Sequence, residues 1–324
     1  MNRIRAYRDI EGVSQNDVSD KLGISPQMVS AVESGRRVFA GDLAPLGYAN
    51  ERMTLPEMSE PLHRTRASTP VAAKKRAHEL LRLAGEVFGE LSARTERAPK
   101  LTLERSPAPM SMADIEDFAV DTRYLLGHEE HGPITHLTST VEKAGVCIIP
   151  LAGLKGIDGM SAWVQNVPVI GLSPSAPGDR FRLSLGHEVG HLSFHTRKTE
   201  GTESEANRFA SALLIPQADF DAAMPERPLL KDFIGLKATW GVSIAALVYR
   251  AHELNYIDDQ RYRALQIQMS KWQKTEPGKF DAAPGQLLGR LIEANGGLDE
   301  VARDSGLNRR HLAELVNWSH LRLA

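Results

Sequence analysis

Two histidines four residues apart flank a glutamate in His187-Glu188-Val189-Gly190-His191. Side chains four positions apart on a helix differ by only about 40° in azimuth, so both imidazoles project from one face. Neutral imidazole is a good zinc ligand, and a catalytic zinc keeps one position open for water. Glu188 is rotated by one residue step, which keeps it off the metal yet beside that water. A carboxylate there can take the water's proton while the metal polarises a peptide carbonyl. His187 and His191 are therefore expected as ligands to Zn2+, and Glu188 as the general base. The bland alternative is a pair of surface histidines flanking an acid. The preceding Phe181-Arg182-Leu183-Ser184-Leu185-Gly186 argues against it, because its apolar face buries the segment. Gly190 costs the helix about 1 kcal/mol relative to Ala, which points to a close neighbour or to room around the metal.

Zinc needs a third protein ligand. A glycine three residues and a histidine six residues after His191 would supply one pattern, but Phe194 and Arg197 stand there. His195 lies about 80° from His187 and too far along a straight helix to converge with the pair, so a helix-end or core role suits it better. The next helical segment, Glu203-Ser204-Glu205-Ala206-Asn207-Arg208-Phe209-Ala210, offers carboxylates. Glu205 shares a stripe with Phe209, Ala212 and Leu213 and is expected to point inward as the third ligand. Glu203 sits at the helix start, where a carboxylate commonly caps, and is the second choice.

Together, Arg180-Phe181-Arg182, the run Gly186–Leu192, Glu205-Ala206-Asn207-Arg208-Phe209-Ala210 and Leu213-Leu214-Ile215-Pro216 resemble the ImmA/IrrE family of metallopeptidases. Gly132-Pro133-Ile134, Trp240-Gly241-Val242-Ser243 and Ala246-Leu247-Val248-Tyr249-Arg250 extend the likeness over about 112–280. The resemblance implies a zincin-like fold and a peptidase whose targets are helix-turn-helix repressors. The family more usually has Ala at the position of Gly186.

A second motif opens the chain. Residues 14–35 read as two short helices joined at Gly23, with Ser14 and Ser25 as N-cap types and Pro26 at a first helical position. Val18, Leu22, Ile24, Val29 and Val32 form the shared apolar face. Gln15, on the first helix, is also expected to contact DNA. The second is expected to present Gln27, Met28 and Ser30, with Gln27 suited to bidentate contact with adenine in the major groove of double-stranded DNA. This segment resembles the Xre/Cro family of repressors, including its Glu33-Ser34-Gly35-Arg36-Arg37 end. Arg36 and Arg37 could reach phosphate. Its nearly balanced charge makes one copy a weak binder, which leaves room for a homodimer. The bland alternative is a helical protein-interaction module.

The 324 residues are more than one small domain needs, and 42% hydrophobic with 25% charged composition can bury a sizeable core. Net charge of −2 gives no whole-molecule pull toward nucleic acid, so any DNA contact must be local. No apolar run is long enough to span a membrane. The start of the chain carries no apolar signal segment, and the single cysteine, Cys147 in an apolar run, fits a reducing compartment. A cytoplasmic protein is expected.

The expected organisation is a helix-turn-helix domain over 1–55, a basic helical linker over 56–110, a zincin-like metallopeptidase core over 111–225 and a helical region over 226–324. The linker is read as a solvated helix over 71–93 between proline joints, at Pro61 and Pro70 before it and at Pro99, Pro107 and Pro109 after it. Strands are expected at Val146–Pro150 and Val167–Leu172, and a second helix–turn–helix rhythm over 287–316 is expected to serve packing. The fold class is thus mainly α with a small β-sheet (α+β). The expected function is a DNA-binding regulator that hydrolyses a repressor or antitoxin-like protein. The rivals are a DNA-binding regulator with a structural or sensory zinc, and an antitoxin-type partner.

Overall fold

In the computed structural model, residues 2–65, 68–103, 105–106, 111–272 and 276–319 are described. Pro107 and Pro109, expected to close the linker, lie outside them. In chain order the elements are α1 (Arg3–Glu11), α2 (Gln15–Leu22), α3 (Pro26–Glu33), β1 (Leu62–Thr65), α4 (Val71–Arg94), α5 (Met112–Leu125), α6 (Leu137–Lys143), β2 (Cys147–Pro150), β3 (Ile157–Val164) and β4 (Val167–Leu172). Then follow α7 (Gly178–Phe194), α8 (Thr202–Leu214), α9 (Gln217–Ala223), α10 (Leu230–Trp240), α11 (Ile244–Glu253), α12 (Asp259–Ser270), α13 (Leu287–Ala294), α14 (Leu298–Ser305) and α15 (Arg309–Leu315). The protein is mainly α with a small β-sheet, as expected. Among the described residues no helix is long and apolar enough to cross a membrane.

The chain forms two compact units. The first gathers 1–100, 145–173 and 285–319; the second gathers 101–144 and 174–284. This division cuts across the expected boundaries, because the strands assigned to the 111–225 core cluster with both ends of the chain. The reason is cover: β2 is buried at all four of its residues, and its sheet needs helices packed on it.

In the first unit the sheet has the order β1-β3-β4-β2. β1/β3 and β3/β4 pair antiparallel, while β2/β4 pair parallel. α4 is not a solvated connector. Ala77, Leu80, Leu81, Ala84, Val87, Phe88 and Leu91, the positions its periodicity marks, are all buried. Gly85 lets α4 lie close to β3, since a Cβ there would come within 2.4 Å of Val164. The apolar residues of α1–α4, the sheet and α13–α15 form one core.

The N-terminal helices are built by their caps. Ser14 accepts from the Asp17 amide and Ser25 from the Met28 amide, and Gly23 ends α2 in the left-handed region at φ 63°. α13–α15 contribute Leu288, Leu291, Ile292, Val301, Leu312 and Leu315 to this core. His311 is buried, its Nδ1 lies 2.6 Å from the Tyr48 hydroxyl and its Nε2 lies 2.7 Å from Glu11. Burial pushes this imidazole below its ordinary range, against the pull of Glu11.

In the second unit α7 is buried along nearly its whole length, so its polar side chains need partners. Arg182 donates to the Ile134 carbonyl at 2.6 Å, and burial pushes its pKa down to about 10. Asp179 holds Lys237 at 2.6 Å, and Lys237 holds Glu276 at 2.7 Å. Phe118 of α5 packs its ring against Phe194 and Phe209, each 6.0 Å away between centroids, and so ties α5, α7 and α8 together.

Candidate metal centre

α7 carries His187, Glu188 and His191, all with no exposed surface. α8 lies against it in the opposite direction: Gly186 faces Ala210, His187 faces Asn207, and both histidines face Glu203. The two glycines make this approach possible. A Cβ on Gly186 would sit 3.4 Å from the Ala210 Cα, and one on Gly190 would sit 2.8 Å from the Phe209 ring. Gly190 therefore answers to a close neighbour, the Phe209 ring.

Gly190→Ala is expected to lower the thermal midpoint. Overpacking costs about 1–3 kcal/mol, and better helix propensity returns only about 1 kcal/mol. Calorimetry checks it: an unchanged or raised midpoint would mean that the Phe209 ring moves aside freely.

His187, His191 and Glu203 bring one ligand atom each within 4.8 Å of one another. Glu203 Oε2 stands 3.5 Å from His187 Nε2, and Glu203 Oε1 stands 4.0 Å from His191 Nε2. Glu205, expected as the third ligand, is not in this group. Its Oε2 instead lies 2.8 Å from His195 Nε2. The reason is geometric. α8 begins at Thr202, so Glu203 falls in its first turn, and the side of α8 that faces the histidines is the Glu203/Asn207 line rather than the apolar stripe.

The residues fit a zinc ion. Two imidazoles and a carboxylate are a known catalytic donor set, and tetrahedral bonds of about 2.0–2.1 Å put ligand atoms roughly 3.3 Å apart. The buried Nε2 of His187 makes no hydrogen bond. Burial alone would raise the Glu203 carboxyl, but His187 and Lys198 outweigh it and hold the group below its ordinary range. Lys198, half-exposed, stands 3.3 Å from Glu203 Oε1.

Each histidine is gripped by its other nitrogen. His187 Nδ1 lies 3.0 Å from Asn207 Oδ1, and His191 Nδ1 lies 2.9 Å from His195 Nδ1. α7 stops at Phe194, and His195 leaves the helix in an extended conformation, φ −104° and ψ 131°. That turn brings its ring back onto His191. Burial pushes the His195 imidazole down against the pull of Glu205. The role of Asn207 was not read from sequence, although its spacing of four from Glu203 is a usable signal.

The DNA-facing candidates are dispersed more unevenly than expected. Gln27, Arg36 and Arg37 are exposed, whereas Ser30 and Met28 are half-buried and Met28 packs on the core. Gln15 is turned inward, donating from Nε2 to Glu33 Oε2 at 2.7 Å, while Arg8 holds the same carboxylate. The three side chains fix α3 against α1 and α2.

Comparison with known proteins agrees with both halves of this description. Among curated proteins no significant relative is found. Residues 4–43 match a model described as helix-turn-helix, and residues 141–252 match a peptidase model described as the IrrE N-terminal-like domain. The chain thus carries, in that order, a stretch similar to helix-turn-helix domains and a stretch similar to the IrrE N-terminal-like domain of a peptidase family.

Proposed function

We propose that the protein is a DNA-binding regulator with zinc-dependent endopeptidase activity, acting on a repressor or antitoxin-like protein. The observation that carries this reading is the convergence of His187 and His191 of α7 with Glu203 of α8, together with the buried Glu188 next in sequence to His187. A purely structural site has no need of Glu188. When bound, zinc supplies Lewis-acid polarisation of the scissile carbonyl and lowers the pKa of water. Glu188 accepts the water's proton at its carboxylate and returns it to the departing amine. His187 and His191 present Nε2 because Asn207 and His195 hold Nδ1, and Glu203 supplies the negative charge. The substrate class follows from the family resemblance, whose members act on helix-turn-helix repressors.

The test is co-expression with a helix-turn-helix repressor encoded beside the gene. Fragments that disappear with a chelator and return with Zn2+ are expected. Fragments that persist in the metal-free protein would exclude this reading.

DNA binding is assigned to the N-terminal helices. Gln27→Ala is expected to weaken a specific site by about 1–3 kcal/mol, the worth of one bidentate base contact. Arg36→Ala should weaken all sequences alike and flatten the dependence on salt. Titrations at several salt concentrations distinguish the two, and equal, sequence-independent losses would remove Gln27 from base reading.

A further inference from the structure

We propose that His195 and Glu205 are a positioning pair that sets His191 as the tautomer able to bind metal; this rests on the metal-site reading above. His191 Nδ1 and His195 Nδ1 are 2.9 Å apart, and only one of two neutral rings can place a proton between them. From that contact alone either ring could be the donor. If His195 were the donor, the proton on His191 would sit on Nε2, the atom that faces Glu203, and would block the metal.

Glu205 breaks the tie. Its carboxylate accepts only, and its Oε2 lies 2.8 Å from His195 Nε2. A carboxylate at that distance requires the His195 proton to be on Nε2. Neutral His195 then has its lone pair on Nδ1 and accepts from His191 Nδ1–H. The lone pair of His191 is left on Nε2, pointing at the site. The order of donation is His191 to His195 to Glu205, one proton per contact. A distant carboxylate thus fixes which nitrogen of a ligand is available, and it also makes that nitrogen a better donor.

Space is reserved for this arrangement. The side chain of His195 is 7% exposed, which shields the contact from competing water. A Cβ on Gly201 would come within 2.8 Å of Glu205 Oε1, so the bare glycine leaves the carboxylate where it is needed. The pairing also explains why Glu205 is drawn away from the metal while its neighbour two residues earlier faces it.

Two measurements on the full-length protein test the inference. In the metal-free protein, long-range nitrogen–proton NMR correlations should show His191 protonated on Nδ1 and His195 on Nε2. His191 protonated on Nε2 would overturn the inference. The second measurement is Zn2+ affinity in competition with a chromophoric chelator. His195→Ala should bind about 10–100-fold more weakly, the usual effect of losing an outer partner. His195→Asn should recover most of that loss, because its Oδ1 stands where Nδ1 stood and still accepts from His191. A merely structural role would not distinguish these variants in that order. Wild-type affinity in His195→Ala, or an Asn variant that is folded yet as weak as the Ala variant, would overturn it. A wild type that takes up no zinc at all would remove the metal-site reading and this inference with it, whereas the three outcomes named before it leave the metal site standing.

Discussion

Glu188→Gln is expected to keep its zinc and lose its activity. Glu188 has no exposed surface, and Gln has nearly the same shape, so the helix and the two flanking ligands should stay in place. What changes is proton chemistry. An amide oxygen is a poor base, and the amide cannot carry the proton from water to the departing amine. General-base help is worth about 10²–10⁴ in rate, or roughly 3–5 kcal/mol of barrier. A loss at the upper end leaves no visible product over an ordinary assay. The measurement pairs zinc content by metal analysis with fragment yield from the same preparation. Equal fragmentation by wild type and Glu188→Gln, both holding one zinc, would exclude Glu188 as the base. Loss of zinc in the variant would instead make Glu188 part of the ligand set.

Local periodicity made much of the molecule legible in sequence. The helical character of the segments that form α7 and α8 is legible, because apolar spacing and the stop before Pro216 are local signals. β4 was read at its observed bounds. β3 was not, since Gly159 and Ser161 interrupt its apolar pattern and its turn is formed by Gln165 at φ 52° rather than by a glycine. β1 was missed for a different reason: Leu62-His63-Arg64-Thr65 is short, mostly polar and an edge strand. α4 shows the limit of such reading most clearly. Its apolar stripe was visible, but basic residues and flanking prolines made it look like a connector, and only the fold reveals what the stripe packs on. The metal site divides along the same line. His187, Glu188 and His191 lie on one helix turn and follow from its geometry. Which carboxylate faces the two histidines depends on how α8 is rotated against α7, where Gly186 and Gly190 admit Ala210 and the Phe209 ring, and so on tertiary packing.

That rotation leads to the second large effect. Glu203→Ala should lose zinc as completely as His187→Ala, while Glu205→Ala should keep it with weakened affinity. Glu203 is the carboxylate that lies within ligand reach of both histidines. Removing it leaves two neutral imidazoles, takes away the only negative charge in the donor set, and opens a second coordination position to water. The loss should exceed the roughly 10–100-fold associated with an outer partner. Glu205 acts one contact further out, through His195, so its removal should fall within that range. Zinc retained after gel filtration, followed by chelator competition, separates the cases. Asn207→Ala provides an internal scale, because Asn207 stands to His187 as His195 stands to His191, and it should fall beside Glu205→Ala. If Glu205→Ala came off the column empty while Glu203→Ala kept one zinc, the carboxylate roles would be exchanged, and α8 in the metal-loaded protein would have to turn by about two residue steps, roughly 200°.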